Sequence, residues 1–200
     1  MKYYQEITLL DSDEKSIYEI WSEVYMQLHI ALADVKNKHA IDTIGVNLPN
    51  YRYEEKKGQT FAMLGNKLRI FAPSQHDLET LNLDNWLEKL TDYVHVKGIK
   101  EVPEDRVTGY VSVHRYRFKP TEVQAQTLSD KLKVSYDEAM ATVAKRKPEM
   151  ALPFIQMRSQ TNNSNYLLKV LQRPCHEATD GSFTVYGMNG MRDNVTVPHW

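Results

Sequence analysis

Two hundred residues, 42% hydrophobic and 26% charged, describe a soluble globular chain of one large or two small domains. Eight Gly and eight Pro are too few for a collagen-like or low-complexity protein; a lone Cys175 cannot form an internal disulfide, so nothing marks a stapled fold or a thiolate zinc site, and no apolar run approaches the ~18 residues of a membrane span. The net charge of −1 conceals an asymmetry, −6 over residues 1–105, +7 over 106–173 and −2 over 174–200, which suits either one surface meeting a polyanion or a solvated, lysine-rich face.

In chain order, MKYYQEITLLDSDEK lacks an apolar core of signal-peptide length, so the cytoplasm is the expected compartment. Within it KYYQEITLL (2–10) alternates with period two and reads as a strand. Ser12, Asp13, Glu14 and Lys15 then offer an N-cap and first turn for a long helix, in which Ile17, Ile20, Trp21, Val24, Leu28, Ala31 and Val35 form one apolar stripe. DTIGVNLP (42–49) reads as a strand closed by Pro49, YRYEEKKGQT as a polar loop, and KLRIFA (67–72) as a second strand. SQHDLETLNL opens like a capped helix, and LTDYVHVKGI (90–99) returns as a strand. The order βαββαβ is the ferredoxin-like plan, shared by RNA-recognition modules and by many unrelated proteins.

The acidic KEVPEDR stretch (100–106) marks a boundary, giving a first domain over 1–100 and a second over 101–200. In the second, TGYVSVHRYRFK (108–119) reads as a strand, followed by helical material through Pro148. Strands near residues 152–159 and 166–173 follow, and SFTVYGM (182–188) reads as a last strand ending in a glycine-containing turn. The fold class is thus α+β: an N-terminal ferredoxin-like, RRM-like domain and a C-terminal α+β domain.

Familiar catalytic signatures are absent: no P-loop, GxGxxG, HExxH, GxSxG or paired cysteines, and no histidine pair on one helix face. No metal or cofactor is expected. His29, in LHIAL, lies about 100° around the helix from the core residue Leu28. A half-buried imidazole there can titrate near neutrality, or simply be a satisfied histidine. Arg115 and Arg117 share a face of the 108–119 strand, about 7 Å apart, as two bases or phosphates would require; two solvated arginines would look the same. Arg158, Ser159, Gln160, Thr161 and Asn162 form a polar run leaving a buried strand, suited to a ribose or phosphate or to an ordinary loop. Tyr166 can stack on a base or pack.

Taken together, KYYQEITLL, LHIAL, IGVNLP, LGNKLRI, YVSVHRYRFK, LPFIQMRSQT and SFTVYGMNG resemble, in order and spacing along the whole chain, the CRISPR-associated endoribonucleases of the type I-F (Csy) system. That resemblance implies a C-terminal domain that grips a CRISPR repeat stem-loop. It also implies metal-independent cutting at the 3′ base of the stem by 2′-hydroxyl attack, leaving a 2′,3′-cyclic phosphate and a 5′-hydroxyl. By the same resemblance His29 falls on the catalytic base, Ser159 on the serine that holds the ribose, and Tyr186 on the tyrosine that orients the imidazole. Arg115 falls on a guanine-reading arginine and Tyr166 on an aromatic that stacks on the terminal base pair. Arg117 stands where a relative has glutamine, and an arginine there suits guanine or phosphate. Lys131 and Lys133 stand where that relative has an arginine-rich helix, with Lys145, Arg146 and Lys147 beyond; Arg158 and Gln160 flank the ribose-holding serine and complete the expected RNA-binding set. The implied partners are the repeat RNA and the other subunits of a type I-F surveillance complex, with a monomer outside it and no membrane. An RNA-binding subunit that has lost cleavage and only anchors a guide RNA is the alternative reading.

Overall fold

In the computed structural model, which describes residues 1–56, 58–145, 150–159 and 162–200, the chain divides into two compact units. One comprises Met1–Tyr116 with Leu152–Trp200, the other Arg117–Ala151. The expected division near residue 100 falls inside the first unit, between its two larger sheets. Among the described residues no helix is long and apolar enough to cross a membrane.

In the larger unit, β1 (Tyr3–Leu9) leads to α1 (Ile17–His39), β2 (Gly45–Asn47), β3 (Arg52–Lys56), β4 (Gln59–Met63) and β5 (Lys67–Ala72). The helices α2 (Gln75–Leu81) and α3 (Leu83–Trp86) follow, then β6 (Val94–Val96) and the short β7 (Lys100–Glu101). The main strands pair antiparallel in the order β2-β5-β1-β6, with β7 also on β1. This is the ferredoxin-like order expected, with α1 and the α2–α3 segment as its two helical crossovers.

The helix α1 begins later than the sequence suggests. Ser16 is its N-cap: the Ser16 hydroxyl accepts from the Glu19 amide and the Glu19 carboxylate accepts from the Ser16 amide. Ser12 caps nothing; its hydroxyl accepts from the Glu14 amide in the preceding turn. The apolar stripe buries Ile20, Trp21, Val24, Leu28, Ala31 and Val35, as its spacing requires, together with Tyr25 and Leu32. A second departure is the polar stretch 51–60, whose described residues are mostly strand. It supplies β3 and the first two residues of β4, a hairpin paired from Arg52↔Met63 to Lys56↔Gln59. The hairpin was illegible as sheet because it lacks a buried face and therefore the alternation that marks one.

The second sheet of this unit has the order β11-β8-β10-β9, from β8 (Gly109–Tyr116), β9 (Phe154–Arg158), β10 (Asn165–Cys175) and β11 (Val197–His199), all antiparallel. The strand β8 stops at Tyr116 rather than running to 119. Residues 182–188 form no strand: they make a loop and a tight turn. The two sheets share one core, in which Ile7, Leu28, Ile70, Ile155, Leu168 and Val170 are all essentially inaccessible. Polar ties cross between them: Gln172 and Leu48 exchange two hydrogen bonds, and the Tyr51 hydroxyl donates to the Val170 carbonyl at 3.1 Å.

The smaller unit, Arg117–Ala151, is a helical pair, α4 (Thr121–Leu132) and α5 (Tyr136–Ala144). The latter is started by a Ser135–Glu138 capping box, and Ala125, Ala139 and Val143 make a small core of their own.

Candidate active site

His29 projects from α1 one position beyond the buried Leu28, and this offset leaves its ring half-buried. Its Nδ1 lies 2.8 Å from the carbonyl oxygen of Val185. A carbonyl can only accept, so in the neutral ring Nδ1 carries the proton and Nε2 keeps its lone pair. No described residue bonds to Nε2. The imidazole also lies flat on the Tyr186 phenol, with ring centres 4.1 Å apart and planes 6° from parallel.

Tyr186 is held from three sides. Its carbonyl accepts a 2.8 Å hydrogen bond from the hydroxyl of Tyr25, which sits one turn before His29 on α1 and is fully buried. Its phenol shares a 2.9 Å hydrogen bond with the Tyr166 hydroxyl. Its turn is closed by the Gly187 amide donating to the Thr184 carbonyl (2.8 Å) and by the Thr184 hydroxyl donating to the Met188 carbonyl (2.8 Å). The Gly187 carbonyl accepts from the Val46 amide at 2.9 Å, which fastens the turn to β2. Gly187 has φ +66°, and a Cβ there would come 2.8 Å from Val46 Cγ1, so both the backbone angle and the packing require glycine.

The Arg115 guanidinium, near the end of β8, lies over the Tyr186 ring at 4.3 Å and the Tyr166 ring at 5.6 Å. His29 already covers one face of the Tyr186 phenol, so Arg115 lies on the other. The phenol is thus sandwiched between an imidazole and a guanidinium, an arrangement that the electron-rich ring faces favour. The structure brings His29, Tyr186, Tyr166 and Arg115 into one cluster, from four different elements.

Ser159 makes no hydrogen bond to His29 or Tyr186. Its amide donates to the Ser164 carbonyl at 2.8 Å, extending the ladder of β9 and β10 by one pair. In that register Ser159 follows Met157 on one face of the sheet, and Met157 pairs with Tyr166. Arg158, on the alternate position, is exposed and lines a groove along α1. Arg117 is exposed and belongs to the smaller unit, as do Lys131, in the last turn of α4, and Lys133, its left-handed cap. Gln160 lies outside the described residues. Among the described residues, no group of three His, Cys, Asp or Glu side chains is arranged to hold a metal.

The residues given no role by sequence reasoning are Tyr25, Thr184 and Gly187. Tyr25 had a signal, since it lies four positions before His29. The turn had only its glycine, because its partner, β2, lies some 140 residues earlier.

Residues 4–200 match the family described as CRISPR-associated protein (Cas_Csy4). A curated relative from Escherichia coli (strain UTI89 / UPEC), named CRISPR-associated endonuclease Cas6/Csy4, is 25% identical over 206 residues, covering 99% of this chain and 99% of its own. A solved structure titled "An RAMP protein binding different RNA substrates" aligns over 99% of both chains at 12% identity with a TM-score of 0.36, too distant to bear on the fold.

Proposed function

The chain belongs to the CRISPR-associated Cas_Csy4 family, and from that membership we propose that it is an endoribonuclease that processes CRISPR RNA, with His29 as its general base. The name of the full-length E. coli relative supports the endonuclease activity. The observation that carries the role of His29 is the bond from its Nδ1 to the Val185 carbonyl, which leaves Nε2 as a proton acceptor on a ring held in place by Tyr186.

In this reading the substrate is a repeat stem-loop whose last base pair stacks on Tyr166, with Arg115 reading a guanine at the foot of the stem. Ser159 holds the ribose at the cut. His29 Nε2 takes the 2′-hydroxyl proton, and the 2′-oxygen attacks the adjacent phosphorus in line. The P–O5′ bond breaks, and the 5′-oxygen leaves with the electron pair and is protonated by the imidazolium or by water. The products are a 2′,3′-cyclic phosphate and a 5′-hydroxyl. The ribose carries its own nucleophile, so the protein supplies a base, a positioner and a held phosphate and needs no metal. Arg117, Lys131, Lys133, Arg158 and Gln160 contribute phosphate or ribose contacts, whose number sets the salt dependence of binding. The protein stays on the mature guide RNA, is a monomer before it joins the other subunits of a type I-F surveillance complex, and works in the cytoplasm.

The test is cleavage of a palindromic repeat hairpin in EDTA beside the same RNA with a 2′-deoxyribose at the cut. The first is cut and the second is bound intact. Cutting of the deoxy substrate, or a strict need for magnesium, contradicts the mechanism. Binding without cutting of either RNA would make the protein a guide-RNA anchor.

A further inference from the structure

The strand β8 has a neighbour on each side, but not along its whole length on both. β10 accompanies it from Tyr110 to Tyr116, whereas β11 pairs only with Gly109–Val111. Beyond Val111 that second edge is taken up by Asn189, which forms a parallel bridge at His114. The Asn189 amide donates to the Val113 carbonyl at 2.7 Å, and the Arg115 amide donates to the Asn189 carbonyl at 3.0 Å. The buried His114 ring adds a third tie. Its Nδ1 donates to the Gly190 carbonyl (3.1 Å), while its Nε2 accepts from the Ser112 hydroxyl (3.0 Å).

The side chain of Asn189 completes this seam. The residue is 1% exposed, and its Nδ2 donates to the carbonyls of Val113 (3.2 Å) and Val195 (2.8 Å). Its Oδ1 accepts from the Val195 amide at 2.9 Å. With Val195 it therefore exchanges both bonds that a paired strand residue exchanges, so the side-chain amide stands in for a peptide group. Alanine offers neither bond, and an ionised aspartate of the same size offers no donor. Tyr186 lies only three residues before Asn189, and the bonds of Thr184 to Gly187 and Met188 close the turn between them. Asn189 thus fixes where the turn sits along β8, and with it the 4.3 Å between the Arg115 guanidinium and the Tyr186 ring. A slip of one residue would carry the phenol about 3.3 Å along the strand, out of the stack.

We infer that Asn189 is a positioning residue for RNA cleavage, an inference that rests on the endoribonuclease reading above. It is buried away from any substrate and acts through Arg115 and Tyr186, holding them in register so that the phenol stays between the guanidinium and the His29 imidazole.

The experiment measures single-turnover cleavage of the repeat hairpin at saturating protein, well below the unfolding midpoint of every variant. Asn189→Ala slows cleavage about tenfold, because a displaced guanidinium and phenol cost rate without unfolding the chain. The same substitution in Arg115→Ala protein slows it less than about twofold further, since the contact it protects is already gone. Asn189→Asp, equal in size but without the two donors, gives the same pattern and carries the test where the alanine variant does not fold. The exposed Asp193→Ala removes the 3.2 Å bond from the Gly190 amide but leaves the ties to β8, and it cleaves within about twofold of the unaltered protein. Normal cleavage by folded Asn189 variants, or equal slowing with and without Arg115, makes Asn189 a structural residue only and overturns the inference. If the unaltered protein leaves the hairpin uncut, the endoribonuclease reading itself fails, and the inference falls with it.

Discussion

The imidazole of His29 and the phenol of Tyr186 lie face to face, 4.1 Å apart, although 157 positions separate them in the chain. The contact fixes the plane of the imidazole, while the Val185 carbonyl fixes its rotation within that plane and its tautomer. One side chain and one neighbouring main-chain oxygen, both on the same tight turn, thus set the direction of Nε2.

If the ring face matters more than the phenol hydroxyl, the two can be separated. Tyr186→Phe keeps the stack and loses the 2.9 Å hydrogen bond to Tyr166. It should slow single-turnover cleavage by about 2–10-fold, the value of one hydrogen bond. Tyr186→Ala removes both interactions and should slow it by about 10²-fold. Equal slowing by the two variants would place the whole effect on the hydroxyl.

Gly187 is the point at which the turn is most exposed to mutation. Gly187→Ala puts a methyl group into the space of Val46 and forces alanine to φ +66°, at a cost of about 2 kcal/mol. A lowered urea midpoint with an unchanged slope is the expected result. An unchanged midpoint would mean that the turn relaxes freely, and that Tyr186 is not rigidly held.

Away from the site, stability in acid should follow Glu6. Burial alone would raise its pKa, but hydrogen bonds from Lys97 (2.7 Å) and Arg69 (2.8 Å), with the charges of Arg69 and Lys67, outweigh burial and bring it from 4.5 to about 2. The folded state therefore favours the carboxylate more than the unfolded state does. The contribution, about 3 kcal/mol, is complete above the unfolded value of 4.5 and is lost as pH falls toward about 2. Urea midpoints measured across that window should fall steeply for the unaltered protein. Glu6→Gln should be less stable at neutral pH and show a flatter acid limb; parallel curves would exclude Glu6 as the cause.

Periodicity carried the ferredoxin-like part of the fold. The stripe of α1 and the alternation of β1 are local patterns, and the sheet order follows from the plan they belong to. What periodicity could not carry were elements without a buried face, such as the β3–β4 hairpin. Nor could it reveal that SFTVYGM, apolar enough to pass for a strand, is held by Thr184, Gly187 and contacts to β2 as a turn. The site residues entered through the resemblance, and their meeting is a tertiary fact. Nothing near His29 in the sequence announces a carbonyl 156 residues away. Arg115 and Arg117 looked equivalent as strand neighbours, yet one stacks on Tyr186 and the other begins the helical unit, because β8 ends between them.

The central claim, that Nε2 of His29 accepts the 2′-hydroxyl proton, is tested most directly by His29→Ala with cleavage rate and hairpin affinity measured on the same preparation. The account predicts affinity within a few-fold of the unaltered protein and single-turnover cleavage slower by about 10²–10⁴. Cleavage that persists at near-normal rate, or affinity that collapses together with it, would contradict that role.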